Sequence, residues 1–104
     1  MTLAALLAAT IASALGCALM ANECTHRDLL ASAPAPSANG CEECLKAGEK
    51  WVELRICQSC GHVGCCDSTP GRHATTHFGK TGHPVMKSFP DRKWAWCYAD
   101  ETYL

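Results

Sequence analysis

A small α+β domain, stapled by bound metal rather than by a large apolar core, is predicted by three features of this chain. They are its length of 104 residues, its nine cysteines and five histidines, and a C-terminal half in which strand-like runs flank a helix signature. Chains this short bury too little surface to rest securely on hydrophobic contacts, so a cross-link must supply the difference. Disulfides and metal are the two candidates, and ligand spacing decides between them. The formal charge is −1, from nine basic and ten acidic residues. That balance gives no field to draw in nucleic-acid backbone or an anionic membrane, so any partner must be recognised locally.

The elements follow in order. Arg27 to Ala31 reads as a short helical turn, and the stretch from Ser32 to Gly40, dominated by small residues and prolines, reads as a surface loop. Lys50 to Ile56 (KWVELRI) mixes aromatic and β-branched residues with alternating polar ones, which suits a half-buried strand running into Cys57. Ser68 or Thr69 as N-cap, Pro70 in the first turn and Gly79 near the end predict a helix from about Pro70 to Phe78. Pro84 to Phe89 and Lys93 to Tyr98 read as two strands joined by the turn Pro90-Asp91-Arg92, an antiparallel hairpin.

Cys41-x-x-Cys44 and Cys57-x-x-Cys60 are separated by twelve residues. In each pair a tight knuckle turns both thiolates toward one tetrahedral ion. One such pair is weak evidence; two are strong. Cys65, Cys66, His73, His77 and His83 follow, enough sulfur and nitrogen to complete two four-coordinate zinc sites. Filled sites of soft ligands are structural, because catalysis needs an open position for water and a nearby base, so the chain reads as a non-enzyme. A disulfide framework leaves the histidines without a purpose, and a redox Cys-x-x-Cys needs a βαβ context that is absent here. Spacing alone lets His73 and His77, at i and i+4 on one helix face, share an ion. His62 reads as a supporting histidine at the surface or behind the ligands. Cys17 and one of Cys65 and Cys66 are left over.

Cys24-x-His26, Cys41-x-x-Cys44, Cys57-x-x-Cys60, Cys65, His73-x-x-x-His77, Gly82-His83-Pro84 and Trp96-Cys97-Tyr98 together resemble the UBP-type zinc finger. This is the ubiquitin-C-terminus-binding domain of some deubiquitinases and a histone deacetylase. GHVGCC and GRHATTHF are similar to small stand-alone bacterial members. The resemblance runs from Cys24 to the C-terminus. It implies a compact twisted antiparallel sheet with flanking helices and cross-braced zinc sites. Its implied ligand groups are Cys41, Cys44, Cys65 and His73; Cys57, Cys60, His77 and His83; and Cys24, His26, Cys97 and the position of Asp100. Between Cys65 and His73 the chain has one residue more than the family pattern, so Cys65 or Cys66 is the ligand; the preserved step from Cys60 favours Cys65. Asp100 stands where the family has cysteine, and a hard oxygen among softer donors makes a weaker, more exchangeable site. Two zinc ions are therefore expected, with a third at this last group.

Residues 1–19, MTLAALLAATIASALGCAL, are uncharged and apolar, unlike the rest. The favoured reading is an over-extended start ahead of Met20, because Met-Ala-Asn-Glu-Cys opens at the first useful cysteine and zinc thiolates persist in a reducing cytoplasm. That makes residues 20–104 the finger and the expected location cytoplasmic. The alternatives are a secretory or lipoprotein signal ending at Ala14-Leu15-Gly16-Cys17, without the usual basic start, or a short membrane anchor at the low end of spanning length.

In ubiquitin-binding relatives an aromatic pocket takes a free Gly-Gly carboxylate, held by an arginine. Here Asp67 occupies the arginine's position and repels a carboxylate, and Arg55 replaces an expected tryptophan. Trp96 and Tyr98 keep the aromatic motif and are the candidate peptide-contacting residues, while Trp51 and Trp94 read mainly as packing. The expected function is a protein-interaction or peptide-interaction module of unidentified partner, for which ubiquitin-tail capture is disfavoured. The competing expectation is zinc buffering or thiol-based redox sensing through Cys24 and Cys97. No basic stripe with interleaved aromatics supports nucleic-acid binding.

Overall fold

The computed structural model describes residues 24–104. The expectations for residues 1–19 lie outside them. Five strands form one antiparallel sheet in the order β2-β1-β3-β4-β5: β1 Leu54–Cys57, β2 Val63–Cys65, β3 Val85–Phe89, β4 Ala95–Cys97 and β5 Thr102–Tyr103. Two helices, α1 Glu42–Ala47 and α2 His73–Thr81, and a 3-10 turn, Arg27–Ala31, complete the domain. The small α+β class with an antiparallel sheet and two short helices is what the sequence predicts.

β1 lies second in the sheet, opposing β2 through Ile56↔Val63 and β3 through Ile56↔Lys87. It begins at Leu54, later than the predicted Lys50. The backbone N–H of Val52 donates instead to the buried Thr69 Oγ1 at 3.0 Å, so this stretch is held by a loop rather than a ladder. The predicted hairpin is present as β3 and β4, with Val85↔Cys97 and Met86↔Trp96 in register. β5 adds two rungs at the edge, Trp96↔Tyr103 and Cys97↔Thr102.

α2 starts three residues later than predicted. Neither Ser68 nor Thr69 caps it; Arg72 does, in the left-handed region at φ 45°, and without a side-chain bond. At the other end Gly79 is inside the helix, and Gly82 (φ 75°) forms the left-handed C-cap, its N–H bonded to the Phe78 carbonyl.

The interior consists of two small clusters rather than one core. One holds Cys41, Cys44, Leu54, Ile56, Val63 and Cys65, with Trp51 and Phe89 packed against it. The other holds Cys24, Val85, Ala95 and Cys97, with Leu29, Leu30 and Leu104. Half of the residues in the first cluster are cysteines, so the apolar centre and the ligand groups are the same residues. Hydrocarbon burial on this scale cannot by itself offset the entropy of ordering the chain.

Candidate metal centres and an adjoining groove

The Cys-x-x-Cys pairs are presented by two different local structures. Cys41 is the N-cap of α1, and its Sγ accepts the Cys44 N–H at 3.4 Å, so the start of a helix turns both sulfurs to one side. Cys57 ends β1 and enters a tight knuckle, in which the Gly61 N–H bonds the Cys57 carbonyl at 2.9 Å and the Cys57 N–H bonds the His62 carbonyl at 2.9 Å. Gly61 sits at φ 81°, and a Cβ there would lie 2.0 Å from the Ala35 carbonyl oxygen, so this knuckle requires glycine.

Three groups of donors result. His73 Nδ1 lies 3.3 Å from Cys41 Sγ, 3.4 Å from Cys44 Sγ and 3.3 Å from Cys65 Sγ. His77 Nε2 lies 3.3 Å from Cys60 Sγ, and His83 Nδ1 lies 3.5 Å from Cys57 Sγ. His26 Nδ1 lies 3.6 Å from Cys24 Sγ, 3.4 Å from Cys97 Sγ and 3.1 Å from an Asp100 carboxylate oxygen. Within each group of four, one donor atom per residue lies within 4.8 Å of the others. A tetrahedral ion with zinc–sulfur and zinc–nitrogen bonds of ordinary length sets its ligand atoms about 3.5 Å apart. The spacing and the donor chemistry therefore both fit zinc.

His73 and His77 do not share a group, although they are one turn apart. His73 faces the end of β2 and the start of α1 with Nδ1, whereas His77 reaches the β1 knuckle with Nε2. α2 thus braces two groups at once. Cys65 joins the first group, and its neighbour Cys66, just past the end of β2, is buried and lines a groove. His62 stacks on His77 at 4.1 Å with ring planes 5° apart, and its Nε2 pairs with the Glu43 carboxylate at 2.7 Å. His62 belongs to none of the three cysteine-containing groups; with Glu42 and Glu43 it forms a further cluster of donors within 4.8 Å of one another.

Four of the grouped thiols, Cys24, Cys44, Cys57 and Cys65, hold their protons more tightly than a free thiol. Burial, reinforced by the adjacent Cys41 sulfur, pushes Cys44 up to about 12, and burial together with Asp100 pushes Cys24 up to about 11. Cys57 and Cys65 are raised for the same first reason. His77 is lowered by burial and by its neighbours His62 and His83, which keeps it in the neutral, metal-binding form. Asp100 is lowered, first by the hydrogen bond from the Cys24 thiol. Each of the eight cysteines among the described residues is a free thiol.

Beside these groups runs an open groove of about 480 Å³, walled by Arg55, Phe78, Trp94, Trp96, Tyr98 and Tyr103, with Asp67 and Glu101 at its margin. Tyr98 stacks on Phe78 at 5.0 Å, and Tyr103 packs edge-on to Trp94 and Trp96 at 5.6 and 4.9 Å. The Arg55 guanidinium lies over the Trp94 ring, its carbon 4.5 Å from the centroid, and donates one hydrogen bond to the Leu54 carbonyl. Among the described residues no carboxylate lies within ion-pair distance of it. Asp67 is engaged elsewhere, accepting from Thr75 Oγ1 at 2.5 Å.

The profile of the family described as "Zn-finger in ubiquitin-hydrolases and other protein" matches residues 41–104. The chain belongs to this family. NAD-dependent deacetylase sir2A of Dictyostelium discoideum is 41% identical over 64 residues, covering 62% of this chain and 11% of that protein. BRCA1-associated protein of Homo sapiens is 35% identical over 66 residues, covering 64% of this chain and 10% of the relative. The chain thus spans about a tenth of the length of these curated relatives. A solution NMR structure of protein RPA1320 from Rhodopseudomonas palustris is 57% identical with a TM-score of 0.67, over 70% of this chain and 72% of that one. A UBP-type finger of this kind is a zinc-binding module, and the grouped cysteines and histidines here are able to hold Zn2+. No helix among the described residues is long and apolar enough to cross a membrane.

Sequence reasoning placed Trp96 and Tyr98 at the groove. Trp94, read from the sequence as core or partly exposed packing, is partly exposed on the groove wall, where Phe78 and Tyr103 join it. Nothing local marks those positions. Phe78 comes from α2 and Tyr103 from an edge strand of two residues.

Proposed function

We infer that the domain is a zinc-stapled peptide-recognition module without catalytic activity of its own, acting in a reducing compartment such as the cytoplasm. Its zinc ligands are Cys41, Cys44, Cys65 and His73 in one site, Cys57, Cys60, His77 and His83 in a second, and Cys24, His26, Cys97 and Asp100 in a third. All four donors of every group come from this chain, which leaves no position for a reacting water. The aromatic groove supports the binding role: five exposed or half-exposed rings are gathered around one cation that lacks an acidic partner. Contact with the Trp94 ring and the bond to the Leu54 carbonyl restrict the Arg55 donor fork in advance, and a guanidinium so held pairs with a planar carboxylate by two parallel hydrogen bonds. Arg55 thus takes the anion-holding role that Asp67 cannot, and the ligand is a short carboxylate-bearing peptide tail.

Calorimetric titration with a peptide ending in Gly-Gly, and with its amide as control, tests this reading. The native protein should bind the free acid better than the amide, and Arg55→Gln should erase the difference. Equal or absent binding of both peptides by native protein with full zinc content would refute it. Zinc buffering is the second reading, favoured by one observation: Asp100 is exposed and is the single oxygen donor among the three groups.

A further inference from the structure

The third ligand group and the groove are built on the same few residues. Cys97 and Asp100 bracket Tyr98, and the turn they define continues through Glu101 into β5. Tyr98, Glu101 and Tyr103 from this turn, with Trp96 beside it, make one wall of the groove. Tyr98 is anchored, its N–H bonded to the Pro84 carbonyl at 2.7 Å and its ring stacked on Phe78; beyond it the wall depends on the edge strand and on the Leu104 N–H bond to the Ala95 carbonyl at 3.1 Å. β5 is two residues long, sits at the sheet edge and pairs only with β4. Glu101 occupies the left-handed region at φ 50°, a conformation a side chain disfavours and that surrounding contacts must maintain. The other half of the group is secured independently. The fully buried Gln58 donates to the Leu29 carbonyl at 2.9 Å and the Ser32 carbonyl at 2.7 Å, fixing the segment that carries Cys24 and His26 to the β1 knuckle. When this group opens, the less anchored arm is the exposed turn that follows Tyr98, from Ala99 into β5.

We propose that the Cys24, His26, Cys97 and Asp100 group is a zinc-controlled latch on the groove. With the ion held, the turn is closed and the groove wall is complete; loss of that ion alone releases the wall while the rest of the finger stays folded. The proposal rests on the groove being the binding surface, and adds how its formation is regulated. Two features make this group the first to empty. Its fourth donor is an exposed carboxylate oxygen, whereas every donor of the other two groups is sulfur or nitrogen. It also has its own apolar cluster, separate from the one around Cys41, Cys44 and Cys65, so it can open as a local unit. By linkage, a peptide in the groove must tighten the third zinc by the same factor as that zinc tightens the peptide.

The three tryptophans report the two regions separately. Trp94 and Trp96 touch Tyr103 on the groove wall, and Trp51 packs on the first cluster. Full-length protein loaded with zinc would be titrated with a graded chelator, counting zinc by native mass spectrometry and following the three indole N–H signals by NMR. Release of the first zinc should shift or broaden the Trp94 and Trp96 signals and leave Trp51 in place. Change of all three indoles together, or unchanged Trp94 and Trp96 signals in protein carrying two zincs, would overturn the proposal. Asp100→Cys should move the Trp94 and Trp96 transition to lower free zinc by roughly tenfold or more. An unmoved transition in that variant would overturn the proposal equally. No peptide enters these measurements, so failure of the Gly-Gly titration would refute the groove's ligand without touching the latch.

Discussion

Gly64→Ala should damage two zinc sites through a single methyl group. Gly64 lies in β2 opposite Arg55, where α2 crosses closest to the sheet. A Cβ built there stands 2.6 Å from the Ala74 nitrogen and 2.9 Å from its Cα, and those are helix backbone atoms that cannot rotate away. Restoring ordinary contact at about 3.4 Å requires α2 to retreat by about 0.8 Å. The helix carries His73 to one group and His77 to the other, and metal–ligand distances tolerate only about 0.2 Å. The expected cost is the roughly 1–3 kcal/mol of an overpacked core, increased by weakened zinc binding at both sites. For a domain of this size each kcal/mol lowers Tm by about 4–8 °C. Gly79→Ala provides the control: it is in the same helix with nothing within 4 Å of its Cβ, and should stabilise by about 0.5–1 kcal/mol through helix propensity. Thermal melting and chelator competition on both variants measure the effects. An unchanged Tm and zinc affinity for Gly64→Ala would show that the approach of α2 to β2 does not set the ligand geometry.

Three further outcomes are expected. Cys57→Ser removes a donor of the second group and should leave one zinc fewer by mass spectrometry, with a lower melting temperature whether or not peptide is present. Zinc binding must displace thiol protons that burial holds at about 12 on Cys44 and about 11 on Cys24, so apparent affinity should fall as pH falls, read by competition with a chromophoric chelator across pH 5 to 8. Deleting residues 1–19 should leave zinc content and melting temperature unchanged, because the three groups found among the described residues are complete without them; a loss of either would refute this.

The sequence by itself determined which atoms are available for metal, since cysteine and histidine at knuckle and helical spacings have few other uses in so short a chain. It also determined the elements whose signals are local, namely the helical turn at Arg27–Ala31, the β3–β4 hairpin and, apart from its ends, α2. What it left open was decided by contacts distant along the chain. The i, i+4 spacing lets His73 and His77 share an ion, and only the placement of α2 across the ends of β1 and β2 sends them to different groups. Cys65 and Cys66 are chemically equivalent in sequence. Cys65 ends β2 beside His73, whereas Cys66, one residue past the strand and held by its N–H to the Glu53 carbonyl, lines the groove. α1, β2 and β5 are too short to carry a periodic signal and exist because ligands and neighbouring strands hold them. The groove depends most on the fold. Arg55 is an ordinary strand residue until β3 and β4 bring Trp94 beneath its guanidinium, because a stacking surface belongs to the packed sheet and not to any one segment.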